Sequence, residues 1–193
     1  MLKLTTPLTE ELVRSLKVGD SLLLSGQIVT ARDAAHKLMI EEKPDFIRDY
    51  LRNGVIYHCG PVVKQDSKGE WHFVSAGPTT SSREEPYQSD VIREYGVRAV
   101  IGKGGMGPKT SAGLKEFGAV YLHAIGGSGS LTASRVKKVE NVFMMEEFGT
   151  PEAFWAIQVE DFPVIVTMDA HGNSLHANVQ EQSKKVYDEL MSK

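Results

Sequence analysis

Residues Arg98-Ala-Val-Ile-Gly-Lys-Gly-Gly-Met-Gly107 run from a short apolar segment into a loop with four glycines and one lysine. A helical pattern, Gln88–Tyr95, precedes them, and a second, Thr110–Phe117, follows and leads into the strand-like Ala119-Val-Tyr-Leu-His-Ala-Ile125. Strands that alternate with helices predict a parallel sheet with crossover helices, because parallel neighbours cannot be joined by a tight turn. Upstream, Ser21–Thr30 reads as a buried strand, or as two broken at Gly26. Helices are expected over Asp33–Met39 and Pro44–Arg52, and strands over Val55–Cys59 and Trp71–Ser75. Downstream, Val136–Met145, Trp155–Val159 and Pro163–Met168 read as strands. Asp169–Asn173 reads as a turn and Val179–Met191 as a closing amphipathic helix. The expectation is one α/β domain over residues 1–193, with more than one sheet layer and no internal linker.

Composition narrows the function. A formal charge of −3 argues against a nucleic-acid partner, which would leave a basic footprint. No apolar run approaches the roughly 20 residues of a membrane span. The opening Met1-Leu-Lys-Leu-Thr-Thr-Pro-Leu8 is too polar for a signal peptide, so the cytoplasm is the expected location. The single cysteine, Cys59, excludes an internal disulfide and any cysteine-ligated cluster held by this chain alone, and no metal-ligand cluster is expected near the loops that carry the chemistry.

Two glycine-bearing loops hold the chemistry. Ala76-Gly-Pro-Thr-Thr-Ser-Ser-Arg83 places hydroxyls and an arginine on a segment whose Gly-Pro favours a tight turn. Gly102-x-Gly104-x-x-Gly107 matches a dinucleotide fingerprint in the right strand-to-helix context. The acidic residue expected on the next strand is missing, however, and Pro108 sits where close helix packing is wanted. The Gly-Lys-[Ser/Thr] ending of a phosphate loop is absent as well. A small-anion grip using Lys103 is the preferred reading, with a nucleotide-binding module and a purely geometric turn as alternatives.

The set Thr30-Ala-Arg-Asp33, Gly77–Arg83, Gly102-Lys-Gly104 and Ile125-Gly-Gly127 resembles the β subunit of class I fumarases and tartrate dehydratases, and equally the C-terminal domain of single-chain class I fumarases. Phe154-Trp-Ala-Ile-Gln-Val-Glu-Asp-Phe-Pro163 and Asp169-Ala-His-Gly-Asn173 extend the resemblance over nearly the whole chain. It implies a swivelling β/β/α domain, three-layered with a mostly parallel central sheet. It also implies half of an iron–sulfur hydro-lyase that hydrates fumarate to malate, or alternatively dehydrates tartrate. The [4Fe–4S] cluster would sit on three cysteines of a partner α subunit, in an α2β2 assembly, with its open iron acting as Lewis acid.

Position by position, the resemblance implies that Arg32 and Arg83 bind substrate carboxylates and that Lys103 reaches the same C4 dicarboxylate. It assigns proton transfer to Thr79. Ser81-Ser82 departs from the commoner Ala-Gly, but the Thr-to-Arg spacing is kept. The residue types suit the chemistry, since guanidinium groups are natural bidentate partners of carboxylates and cations stabilise an enediolate-like charge. His36 and His123 read as structural. His58 and Cys59 are adjacent on a strand, so they face opposite ways and do not chelate together.

Overall fold

A computed structural model describes residues 1–192. The chain opens with strand β1 (Leu2–Thr5) and helix α1 (Glu10–Ser15), then β2 (Ser21–Thr30). Helix α2 (Asp33–Glu41) and a 3-10 turn (Asp45–Ile47) running into α3 (Arg48–Leu51) lead to β3 (Val55–Tyr57). A hairpin of β4 (Val62–Gln65) and β5 (Trp71–Ser75) follows. A second 3-10 turn (Ser81–Arg83) then precedes α4 (Gln88–Tyr95), β6 (Ala99–Gly102), α5 (Pro108–Phe117) and β7 (Val120–His123). The remainder is α6 (Gly129–Ser134), β8 (Val136–Phe143), α7 (Met145–Phe148), β9 (Phe154–Met168) and α8 (Leu175–Met191).

Local chemistry fixes the boundaries. Thr9 caps α1 by accepting from the Leu12 amide at 3.2 Å, and Ser174 caps α8 through the Ala177 amide at 3.2 Å. Helices α4 and α5 end at Gly96 and Gly118, whose φ of +68° and +67° are left-handed and cost glycine little. Pro108 opens α5, where a missing amide proton matters least.

Seven strands form one sheet in the order β1-β2-β3-β6-β7-β9-β8, and β2 pairs with β9 as well. Pairing is parallel from β1 through β7 and antiparallel wherever β9 takes part. Strands β2, β3, β6, β7 and β9 therefore close on themselves. The parallel β3-β6-β7 core with crossover helices matches expectation, but the expected three layers around a mostly parallel sheet do not describe the architecture. The sheet is mixed and forms a closed ring, with β4–β5 as a separate antiparallel pair.

The reason lies in β9. Two short strands were expected around Glu160-Asp161, yet the chain continues as one 15-residue strand. A register shift opposite Leu24/Gly26 absorbs the interruption, with Asp161 at φ +48° and its amide on Ser25 Oγ at 3.0 Å. Before the bulge β9 pairs with β2 and β8; beyond it, with β2 and β7.

Strand alternation sorts the core into two clusters. Leu22, Leu24, Ile28, Val55, Tyr57, Ile101, Leu122, Trp155 and Ile157 pack on the enclosed side of the ring. Val29, Ile56, Val100, Tyr121 and Phe154 face the other way and pack against helix residues such as Met39, Val91 and Leu114. The loops leaving the carboxyl ends of β2, β3, β6 and β7 gather at one end of the parallel segment, where α/β sheets commonly bind ligands.

Candidate active site

At that end two connections join the loops that carry the four residues expected from sequence. The Lys103 amide donates to the Thr79 carbonyl at 3.3 Å, and the Ser81 amide donates to the Lys103 carbonyl at 3.0 Å. Thr79 itself is tethered to the end of β3 by a 2.6 Å bond from its amide to the His58 carbonyl. The second connection runs through Asp33, the first residue of α2. It follows Arg32 in sequence, and its Oδ2 accepts from the Arg83 guanidinium. The 3-10 turn Ser81–Arg83 brings Arg83 to that contact.

The arginines are held differently. Arg32 is mostly buried and pairs with Glu152 at 3.3 Å, while Glu152 also accepts from the Ala34 amide at 3.1 Å. Its Nε is buried without a hydrogen-bond partner among the described residues. Gly60 leaves room for it, since a Cβ there would come within 2.4 Å of Arg32 Nη1. Arg83 is half-exposed. Lys103 makes no ion pair among the described residues, and its aliphatic stem runs beside Gly126, where a Cβ would lie 3.6 Å from Lys103 Cδ. A groove of about 490 Å³ lies next to this cluster, between Gly104–Pro108 and the start of α8, and meets it at Ser82.

Beneath the loops runs a buried polar network. His36 Nδ1 donates to the Arg32 carbonyl at 2.9 Å, and His58 Nδ1 lies 2.8 Å from Ser81 Oγ, which shares a 2.8 Å hydrogen bond with the Tyr121 hydroxyl. The side-chain amide of Gln88 spans both histidines, 2.9 Å from His36 Nε2 and 2.7 Å from His58 Nε2. A carbonyl facing both rings would make His36 a buried cation, because its Nδ1 already donates. With the amide turned so that its NH2 faces the rings, both histidines are neutral. Burial favours that state: it lowers the pKa of His36, and it lowers that of His58 to about 3. Both rings lie fully buried within this network. Cys59, on the opposite face, lies in the enclosed core with its thiol pushed up by burial to about 12. It fits no iron–sulfur cluster, which requires thiolates.

The glycine loop departs from a nucleotide cradle for a definite reason. The N-terminus of α5, where a pyrophosphate would bind, already holds the Glu85 carboxylate. Glu85 accepts from the Gly107 amide at 2.7 Å, the Thr110 amide at 3.2 Å and the Thr110 hydroxyl at 2.7 Å. Gly102 serves packing, because a Cβ there would fall 1.8 Å from Ser81 Oγ. Gly104 and Gly105 adopt φ of +83° and +76° to turn the loop.

Sequence reasoning missed Asp33, Glu84, Glu152 and Gln88. Asp33 stood in plain view beside Arg32, and Glu84-Glu85 directly follows Arg83. Nothing local marked Gln88, which opens a helix 52 residues from its partner His36.

Residues 1–179 match the family model described as fumarase C-terminus. The chain belongs to that family. Its relatives include a Geobacillus stearothermophilus protein named "Putative fumarate hydratase class I", 51% identical over 183 residues. That match covers 95% of this chain and 35% of the relative, so the chain spans about a third of that protein's length. A second, from Methanocaldococcus jannaschii, is named "Putative L(+)-tartrate dehydratase subunit beta" and is 43% identical, covering 95% of this chain and 93% of the relative. The L(+)-tartrate dehydratase subunit beta of Escherichia coli is 40% identical, covering 96% and 90%. The expected resemblance is therefore correct at the level of family. No helix among the described residues is long and apolar enough to cross a membrane.

Proposed function

We propose that this chain is the β subunit of an iron–sulfur hydro-lyase that interconverts fumarate and malate, with the cluster on a separate α subunit. The observation that carries this reading is that the loops bearing Arg32, Thr79, Arg83 and Lys103 lie at the carboxyl ends of the parallel strands, tied by the Thr79–Lys103 and Asp33–Arg83 contacts, in a fumarase-family chain. Arg83 and Arg32 each grip a carboxylate of the C4 dicarboxylate. The orphaned Arg32 Nε supports this role, since a buried donor without an acceptor calls for an anionic ligand. Lys103 adds positive charge where the enediolate-like anion develops, and the Thr79 hydroxyl carries the proton at the adjacent carbon.

The lone buried Cys59 supports placing the cluster on a partner. Coverage of 90% or more of the tartrate dehydratase β subunits supports a two-chain enzyme, which we take to be α2β2 and cytoplasmic. The same relatives support tartrate dehydration as the second reading. At the finer level of fold, the domain over residues 1–193 is taken as a variant of the swivelling β/β/α type whose sheet has closed.

The test is reconstitution with the cluster-bearing chain, followed by assays with malate, fumarate and tartrate. Turnover by the isolated chain would refute the two-subunit reading, as would unchanged turnover and KM in Arg83→Ala for the role of that arginine. Higher kcat/KM with tartrate than with malate would select the second reading.

A further inference from the structure

Glu84 is fully buried, and among the described residues neither of its carboxyl oxygens has a hydrogen-bond partner. Its closest ring nitrogen, His58 Nδ1, is 4.0 Å away and directed to Ser81. An ionised carboxylate left unpaired in such a place is strongly disfavoured. Asp33 comes within side-chain hydrogen-bonding reach of it from α2 and has an orphan of its own: among the described residues Oδ1 is buried and unpartnered, while Oδ2 holds Arg83. Two orphaned acceptors in contact become a donor and an acceptor once a single proton lies between them.

We infer that Glu84 is a neutral carboxylic acid that donates to Asp33 and so fixes the grip of Asp33 on Arg83, making Glu84 a positioning residue for the substrate-binding arginine. This rests on the role proposed above for Arg83. The proton belongs on Glu84 because Asp33 is partly exposed and already paired with a cation. The directions agree. Burial, then the bond to Asp33 and its negative charge, raise Glu84 to about 8. Burial also raises Asp33, but the hydrogen bonds from Glu84 and Arg83 outweigh it and hold Asp33 below its usual value. The other groups facing Glu84 are His58, neutral at the end of β3, and the Tyr121 phenol of β7, whose pKa is raised by burial.

The consequence concerns charge. With Glu84 neutral, the trio Glu84–Asp33–Arg83 carries no net charge and Arg83 answers to one carboxylate. With Glu84 ionised, two carboxylates share the guanidinium and compete with an incoming dianion.

Infrared difference spectra of the full chain with 13C-labelled glutamate, at pH below and above 8, test the protonation directly. A protonated-carboxyl band that disappears on raising the pH, and is missing in Glu84→Gln, is expected. A Glu84 ionised at neutral pH overturns the inference.

In the reconstituted enzyme, KM for malate should rise above pH 8, and Glu84→Gln should lack that rise. Glu84→Met, which removes the donor but fills the space, should raise KM by about tenfold, equivalent to roughly 1.4 kcal/mol, with kcat changed less. An alkaline KM limb retained in Glu84→Gln overturns the positioning role. If Arg83→Ala leaves KM unchanged, the functional reading fails instead, while the infrared result still decides the protonation of Glu84.

Discussion

Replacing Glu84 with glutamine keeps the side chain's shape and an N–H donor toward Asp33 but removes its titration. In the folded protein Glu84 holds its proton to about 8, whereas in the unfolded chain it releases it near 4.5. Between those limits the native state binds more protons than the unfolded state, so wild-type stability falls as pH rises. The slope is roughly 1.4 kcal/mol per pH unit. Below 4.5 the contribution is complete, and above 8 it is fully lost. Over the whole window the loss is roughly 4 to 5 kcal/mol, a ceiling that relaxation and water entry reduce. Glutamine feels none of this. Urea unfolding of both proteins at pH 5, 7 and 9 should therefore show similar stability at pH 5, with Glu84→Gln the more stable by several kcal/mol at pH 9. A stability difference independent of pH would refute the reasoning, since it would mean that Glu84 ionises alike in both states.

Gly102→Ala places a Cβ where Ser81 Oγ sits. It should cost about 1–3 kcal/mol in chemical denaturation and break the Ser81–Tyr121 bond. Glu85→Ala strips three hydrogen bonds from the first turn of α5. A loss of about 1–2 kcal/mol is expected, read as a lower Tm, and no change would show that the cap is idle. NMR titration should find no protonation of His58 above pH 4, given its value of about 3; a midpoint near 6 would mean that the network is open to water. Cys59 should resist thiol reagents until the protein unfolds, because it is buried and its thiol is pushed up to about 12.

The parallel centre was legible because crossover units announce themselves locally. Helix Gln88–Tyr95 and strands Ser21–Thr30 and Trp71–Ser75 fall where periodicity places them. The closed ring was not legible, because it depends on β2 pairing with a strand more than a hundred residues away, and no local pattern encodes a partner. Gly26 and the stretch 160–162 looked like breaks, yet both sit at a bulge between β2 and a β9 that continues as one strand. Strand β1, helix α1, β4 and α6 are short, and their sequences are too mixed for a clear period. At the site, the motif residues were visible as residue types in order. Their counter-charges Asp33 and Glu152, and the buried acid Glu84 behind Asp33, were not, because such pairing is decided by three-dimensional proximity.

The pairing of β2 with β9 also dictates the order in which this protein can be made. The Trp155 amide reaches Thr30 Oγ1 across 125 residues, and the other β2–β9 partners lie at similar or greater separation. A nascent chain has all the residues assigned to substrate by the time Lys103 emerges, but its sheet stays open until residue 168 has cleared the ribosome. Until then the antiparallel edge of β2 is bare, inviting mispairing with other chains. Such long-range closure predicts slow folding. Truncation anywhere before β9 should accordingly yield aggregates rather than a weakened protein.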